Sequence, residues 1–275
     1  SNTLTAHASA TLPSGTGKFT VSSGNTLELS AAHANNIVMD GAGNVTITTL
    51  NGDLDSDLSN ITVTGTILVK TSADIESGSP FTGSFPAEAF TLGGNGTHDI
   101  YIDHPTSSGI TTAKTLTVAN DTSIFIAANE ISAKTVTTAD GSIHISALNA
   151  TTAANLSNIT ESNNGTVTVS TSADVTYTGS FPNAAFELKS ADGSHTVTSN
   201  GSTVTTGKTL TVNNTTFTAP AADITGKTIT TANSAINVTS LDATANADLS
   251  TLTKSGSGTL TATVSNDVTF TGNLG

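Results

Sequence analysis

The chain has 275 residues, 21 of them Asp or Glu against 8 basic ones, for a formal net charge of −13. All eight basic residues are Lys, and Arg, Cys, Trp and Gln are absent. Without a positive surface or guanidinium forks the chain is not built to hold a phosphate backbone, so nucleic acid is excluded as a partner; without cysteine there is no disulfide framework.

Hydrophobic residues make up 35% and aromatic residues 4% of the chain. That is too little for one thick core but enough for many thin, repeated layers of Val, Ile, Leu and Ala. No run of about 18 apolar residues is present to cross a bilayer, so membrane insertion is not expected. No charged-then-apolar leader opens the sequence. The chain begins Ser1-Asn2-Thr3 and its only Met is Met39, which predicts an internal segment of a longer protein whose export signals lie elsewhere.

The first predicted strands are Thr26-Leu27-Glu28-Leu29 and Val45 to Thr49. Both alternate an aliphatic residue with a polar one and are bounded by Gly, Asn or Ser, the pattern of a strand with one face buried. A leucine-anchored phrase follows, Leu50 with Leu58-Ser59 and Thr62, and it returns as Leu148 with Leu156-Ser157 and Thr160, then as Leu241 with Leu249-Ser250 and Thr253. The offsets are 98 and 93 residues. Inside the first copy, Asp53, Asp55 and Asp57 open like a calcium-binding loop. Its sixth position is Leu58 instead of Gly and its twelfth is Thr64 instead of Glu, so the helix-loop-helix reading fails and a solvated acidic turn stands beside it.

Next comes Thr71-Ser72-Ala73-Asp74, which recurs as Thr171-Ser172-Ala173-Asp174 and, changed, as Val264-Ser265-Asn266-Asp267. The phrase Phe81-Thr82-Gly83-Ser84-Phe85-Pro86 recurs as Tyr177-Thr178-Gly179-Ser180-Phe181-Pro182, with a shortened copy at Phe270-Thr271-Gly272. Phe85 with Phe90, and Phe181 with Phe186, are expected in equivalent buried places because the prolines end the preceding strand. Gly93-Gly94-Asn95-Gly96 brushes the glycine-rich calcium nonapeptide, but the required Asp is misplaced and the motif never recurs. In the segment His98 to His104, strand alternation puts His98 and His104 on one face about 20 Å apart, too far to share a metal.

A shorter beat runs inside the long repeat. Lys114-Thr115-Leu116-Thr117 is followed 20 residues later by Lys134-Thr135-Val136-Thr137, and Lys208-Thr209-Leu210-Thr211 is followed 19 later by Lys227-Thr228-Ile229-Thr230. Ile124-Phe125-Ile126 likewise precedes Ile143-His144-Ile145 by 19. Leu116, Val136, Leu210 and Ile229 are expected to point inward and the flanking threonines outward. Helical periodicity is nearly absent; Ala150 to Leu156 is the one stretch expected to form a short helical turn.

A beat near twenty is one coil of a solenoid, so the predicted fold is all-β: a parallel β-solenoid (β-helix) of roughly 19–24 residue coils in three tandem long repeats. The alternative is a string of tandem Ig-like β-sandwiches, one per long repeat, against which stand the missing Trp and the scarcity of Tyr and Pro. The repeat boundaries divide the chain into 1–49, the end of a first repeat; 50–147 and 148–240, two full units; and 241–275, the truncated start of the next.

Six scattered histidines (His7, His33, His98, His104, His144, His195) show no homologous recurrence, so no catalytic triad is defensible and no catalytic residue is assigned. A carbohydrate-active β-helix enzyme needs clustered carboxylates and aromatic platforms that the sequence does not offer. The stacked Thr-X-Thr triplets allow an ice-binding face; ordinary outward β-branched residues are the plainer reading. The twelve Asn-X-Ser/Thr sequons, Asn44 and Asn237 among them, follow from composition. Asp74, Asp174 and Asp267 form the one carboxylate position present in all three copies. They are the candidate calcium ligands, with a turn-forming Asp that accepts backbone N–H groups as the competing reading.

These repeats, with their Thr/Ala/Asn/Ser/Gly bias, acidity and absence of Cys, resemble the repeat regions of large exported bacterial adhesins, biofilm-matrix proteins and surface-layer proteins. The likeness covers the whole chain and carries no family-specific motif. It implies a secreted, cell-surface protein that serves as stalk, lattice unit or attachment fibre, often with bound calcium. The expected partners are neighbouring repeats or further copies of the same protein, with a glycan or cell-surface ligand as the alternative for an adhesin module.

Overall fold

The computed structural model describes residues 2–5, 18–53, 55–94, 96–103, 110, 114–148, 153–202, 204, 207–241, 246–264, 266–267 and 269–274. The chain divides into two compact units. The first comprises residues 1–126 with 134–143 and 162–165; the second comprises 127–133, 144–161 and 166–275.

Both units are parallel β-solenoids. In the first, the strands Thr3–Thr5, Thr26–Ser30, Asn44–Leu50, Ile67–Thr71, Phe90–Gly94, Thr115–Val118 and Thr135–Ala139 stack in that order on one face. In the second, Thr166–Thr171, Phe186–Ser190, Thr209–Asn213, Thr228–Thr231 and Leu252–Lys254 form one face. Val175–Tyr177, Thr196–Ser199, Thr216–Pro220, Ala235–Thr239 and Thr259–Ala262 form another. Each strand pairs with the strand one coil away in parallel, which sandwiches do not do, and this sets the sandwich alternative aside. Partners lie from 18 residues apart (Leu27 with Val45) to 26 apart (Phe90 with Leu116), slightly wider than the 19–24 expected.

The register follows from the alternation. Leu116 pairs with Val136 and Leu210 with Ile229, and all four are fully buried, while the threonines beside them are half-exposed. A one-residue slip would turn every Thr inward. Each buried aliphatic side chain contributes roughly 1.5–3 kcal/mol, and because the column repeats in every coil a thin core suffices.

Aromatic rings fill the interior at two repeat-equivalent places. Phe81 lies 4.8 Å from Phe85, which stacks 5.2 Å from Phe90; Tyr177 lies 4.6 Å from Phe181, which stacks 5.4 Å from Phe186. The tilt angles also match, at 51° and 53° for the first pair of each set. The buried Tyr177 hydroxyl sits 2.6 Å from the Ala154 carbonyl oxygen, to which it donates; burial pushes its pKa up. Glycine is needed beside each ring set. A Cβ at Gly83 would come 2.3 Å from the Ser56 carbonyl oxygen of the preceding coil, and at Gly179 and Gly272 it would come 2.1 Å from those of Ala154 and Ala247.

The α-helices among the described residues are single turns at Ala31–Ala34, Ala128–Ile131 and Ala221–Ile224. The helical turn expected at Ala150 to Leu156 falls partly outside the described residues, and 153–156 form a turn and an isolated bridge instead. After each helix the chain reverses through a left-handed residue, Asn36 (φ 59°), Ala133 (φ 61°) or Gly226 (φ 67°). There the backbone N–H donates to the carbonyl of Asp57, Asn155 or Asp248 in the next coil, at 2.9, 2.7 and 2.7 Å. In return the N–H groups of Asp57, Asn155 and Asp248 donate to the side chains of Asn35, Ser132 and Thr225. This reciprocal latch locks one coil to the next and pairs backbone N–H groups that the corner would otherwise leave without a partner.

Candidate functional site

The side chains that carry chemistry are placed at the corners between faces, where coils meet. Asp57, Asn155 and Asp248 each accept from a serine two residues on: Ser59 N–H and hydroxyl at 3.0 and 2.6 Å, Ser157 at 3.1 and 2.7 Å, Ser250 at 3.1 and 2.6 Å. Such Asx turns fix the local backbone. The Ser250 hydroxyl and N–H hold the Asp248 carboxyl below the usual range. Of the acidic triplet, Asp53 accepts from the Ser79 hydroxyl at 3.0 Å and Asp55 from the Thr82 hydroxyl, both one coil on. Each carboxylate of the triplet thus has its own hydroxyl partner, Asp53 and Asp55 in the next coil and Asp57 in its own.

The recurring carboxylates sit at another corner. Asp74 Oδ1 accepts the Asp99 backbone N–H at 3.1 Å and faces His98 Nδ1 at 3.2 Å. Asp174 Oδ1 accepts the Thr196 N–H at 2.8 Å and faces His195 Nδ1 at 3.6 Å. The hydrogen bond from Asp99, then that from His98, holds the Asp74 carboxyl below its usual range. Asp267 is exposed. Among the described residues no three His, Cys, Asp or Glu side chains gather in a group that could hold a metal ion.

His98 and His195 therefore occupy equivalent places, a recurrence that the sequence alone did not reveal. Asp74 and His98 are 24 residues apart and Asp174 and His195 only 21, so unequal coil lengths hide the match. His195 has a second carboxylate, Asp192, 3.4 Å from Nε2. The two carboxylates sit on opposite ring nitrogens, bracketing the imidazole without converging on a shared point. Asp192 is held down to about 2, chiefly by the Ser194 backbone N–H and then by the hydroxyl of Ser190. His104, Gly94's companion Asn95 and His7 lie outside the described residues.

The threonine triplets do stack: Thr115 and Thr117 pair with Thr135 and Thr137, and Thr209 and Thr211 with Thr228 and Thr230. The column through Thr211 is interrupted by Glu187. A longer series missed in the sequence joins Thr176, Thr198, Thr218, Asn237 and Thr261. It escaped notice because its strands lack the Lys-Thr opening of the recognised phrases.

No protein-family model matches this chain, and neither the curated proteins nor the solved structures contain a match. No helix among the described residues is long and apolar enough to cross a membrane.

Proposed function

We propose that this chain is a structural, adhesive repeat segment of a secreted bacterial cell-surface protein, acting as scaffold in a fibre, stalk or lattice. The observation that carries the reading is where the polar side chains are used. The latch side chains Asn35, Ser132 and Thr225 and the corner carboxylates Asp74 and Asp174 hold one coil to the next, while the side chains of Asp57, Asn155 and Asp248 brace the turn that presents their backbone N–H groups to the latch. A chain whose recurring polar positions serve stacking is suited to spacing and bearing load. The strongly acidic charge supports an exposed surface that stays in solution.

The test has two parts. An antibody raised against the segment is expected to label intact cells without permeabilisation, and labelling only after permeabilisation overturns the location. Exchange of the segment, within its parent protein, for an unrelated solenoid of the same number of coils should preserve surface attachment. Loss of attachment on exchange shows that a specific surface of this segment, and not its spacing, is what matters.

A further inference from the structure

One outward groove in the second unit is not explained by stacking. Ser170, Lys189 and Asn213 lie side by side on three successive strands, since Ser170 pairs with Lys189 and Lys189 with Asn213. Glu187 stands one outward position before Lys189, and the corner residues Asn214 and Asn233 close the far side. Together they line an open depression of about 630 Å³, within the range of small-ligand sites, roughly 300–1,000 Å³.

Its chemistry is specific. Asn213 Nδ2 donates to Glu187 Oε1 at 2.5 Å, which fixes both side chains and leaves the Asn213 oxygen for another donor. Asn233 Oδ1 accepts from the Ser257 hydroxyl at 3.2 Å, leaving its amide protons. Among the described residues, neither the Lys189 ammonium nor the Asn214 carboxamide has a hydrogen-bond or ion-pair partner. The groove thus presents unused donors and acceptors on planar amides, one ammonium and one carboxylate, with no aromatic or large aliphatic side chain among its lining residues.

We propose that this groove binds a neutral saccharide. A sugar hydroxyl both donates and accepts, and a vicinal pair matches the adjacent oxygen and nitrogen of a carboxamide. Asn214 offers that match whole, and the Asn213 oxygen and the Asn233 amide protons add an acceptor and a donor beside it. Lys189 and Glu187 cancel locally, and the chain carries −13 overall, so the field does not favour an anion. A peptide lacks a place for an apolar anchor. The inference goes beyond the scaffold reading, which stands or falls separately on the labelling and exchange experiments.

The test is carried out on the whole chain by nitrogen–proton correlation spectra, following the side-chain NH₂ signals of Asn213, Asn214 and Asn233. The probes are the methyl glycosides of glucose, galactose and mannose at millimolar concentration, with inorganic phosphate as the anionic comparison. At least one glycoside is expected to shift these signals saturably, with a dissociation constant on the order of 1 mM. Lys189→Met and Asn214→Gly should each weaken it at least tenfold. Both positions face solvent, and Gly suits the Asn214 backbone (φ 53°); unchanged backbone spectra verify folding, and Asn233→Ala serves where either variant does not fold. The proposal is overturned if no glycoside shifts the signals, if only phosphate does, or if binding survives the variants.

Discussion

At Ala133 a side chain occupies a left-handed corner that Gly226 fills at the equivalent place in the next repeat. The left-handed conformation costs an L-residue about 1–2 kcal/mol, against which glycine's greater unfolded entropy counts in part. Ala133→Gly is expected to raise stability by about 0.5–1 kcal/mol, and Gly226→Ala, whose Cβ would meet open space, to lower it by a similar amount; denaturant midpoints measure both. A loss in Ala133→Gly means the corner is not left-handed. Asp192 gives a pH signature. Its carboxyl is depressed from an ordinary 3.8 to about 2, so its contribution is present above the ordinary value and fades as pH falls from there toward about 2. The gap in melting temperature between the parent chain and Asp192→Asn should be constant from neutral pH to about 5, shrink as pH falls below about 4 and close toward about 2. A gap that widens on acidification contradicts the Ser190–Asp192–Ser194 arrangement.

At the scale of the element, the strands were legible and the corners were not. Thr-Leu-Thr-Val and Thr-Val-Thr-Thr gave the inward set Leu116, Val136, Leu210 and Ile229 correctly because a period of two is set by strand geometry alone. The buried placement of Phe85, Phe90, Phe181 and Phe186 was likewise readable from the repeated Phe-Pro phrase. The three helical turns were invisible: four residues are too few to show helical periodicity, and they are held by the latch to the next coil, not by propensity. The pairing of His98 with Asp74, and the meeting of Ser170, Lys189 and Asn213, depend on the length of each coil, which turn chemistry at individual corners decides. Two substitutions test the elements. Leu210→Asp places an unpaired charge in the column and is expected to cost several kcal/mol. Gly179→Ala drives a methyl against the Ala154 carbonyl and should cost about 1–3 kcal/mol, measured as a lowered denaturant midpoint; a neutral Gly179→Ala means the coils are further apart there than described.

For the whole molecule the dominant long-range term is self-repulsion among carboxylates in a chain of net charge −13. The Debye length falls from about 30 Å at 0.01 M salt to about 10 Å at 0.1 M, so the melting temperature should rise by a few degrees over that interval. Calcium at matched ionic strength is expected to add to this and to promote oligomers by bridging Asp74, Asp174 or Asp267 between chains, the association that open strand edges favour. Light scattering and thermal melting with calcium, magnesium and chelator separate the effects. If calcium does no more than magnesium, these carboxylates serve their corners alone.

The register of the ladder also bears on how the fold comes into being. Because the paired strands among the described residues lie only 18 to 26 residues apart, these coils do not wait for a distant part of the chain before they can form. A polypeptide emerging end-first from a ribosome or a narrow membrane pore can therefore wind up behind the exit as it appears, each coil templated by the last. Winding on the far side resists backsliding, so folding itself can rectify the random motion of the chain in the pore and pull the remainder through.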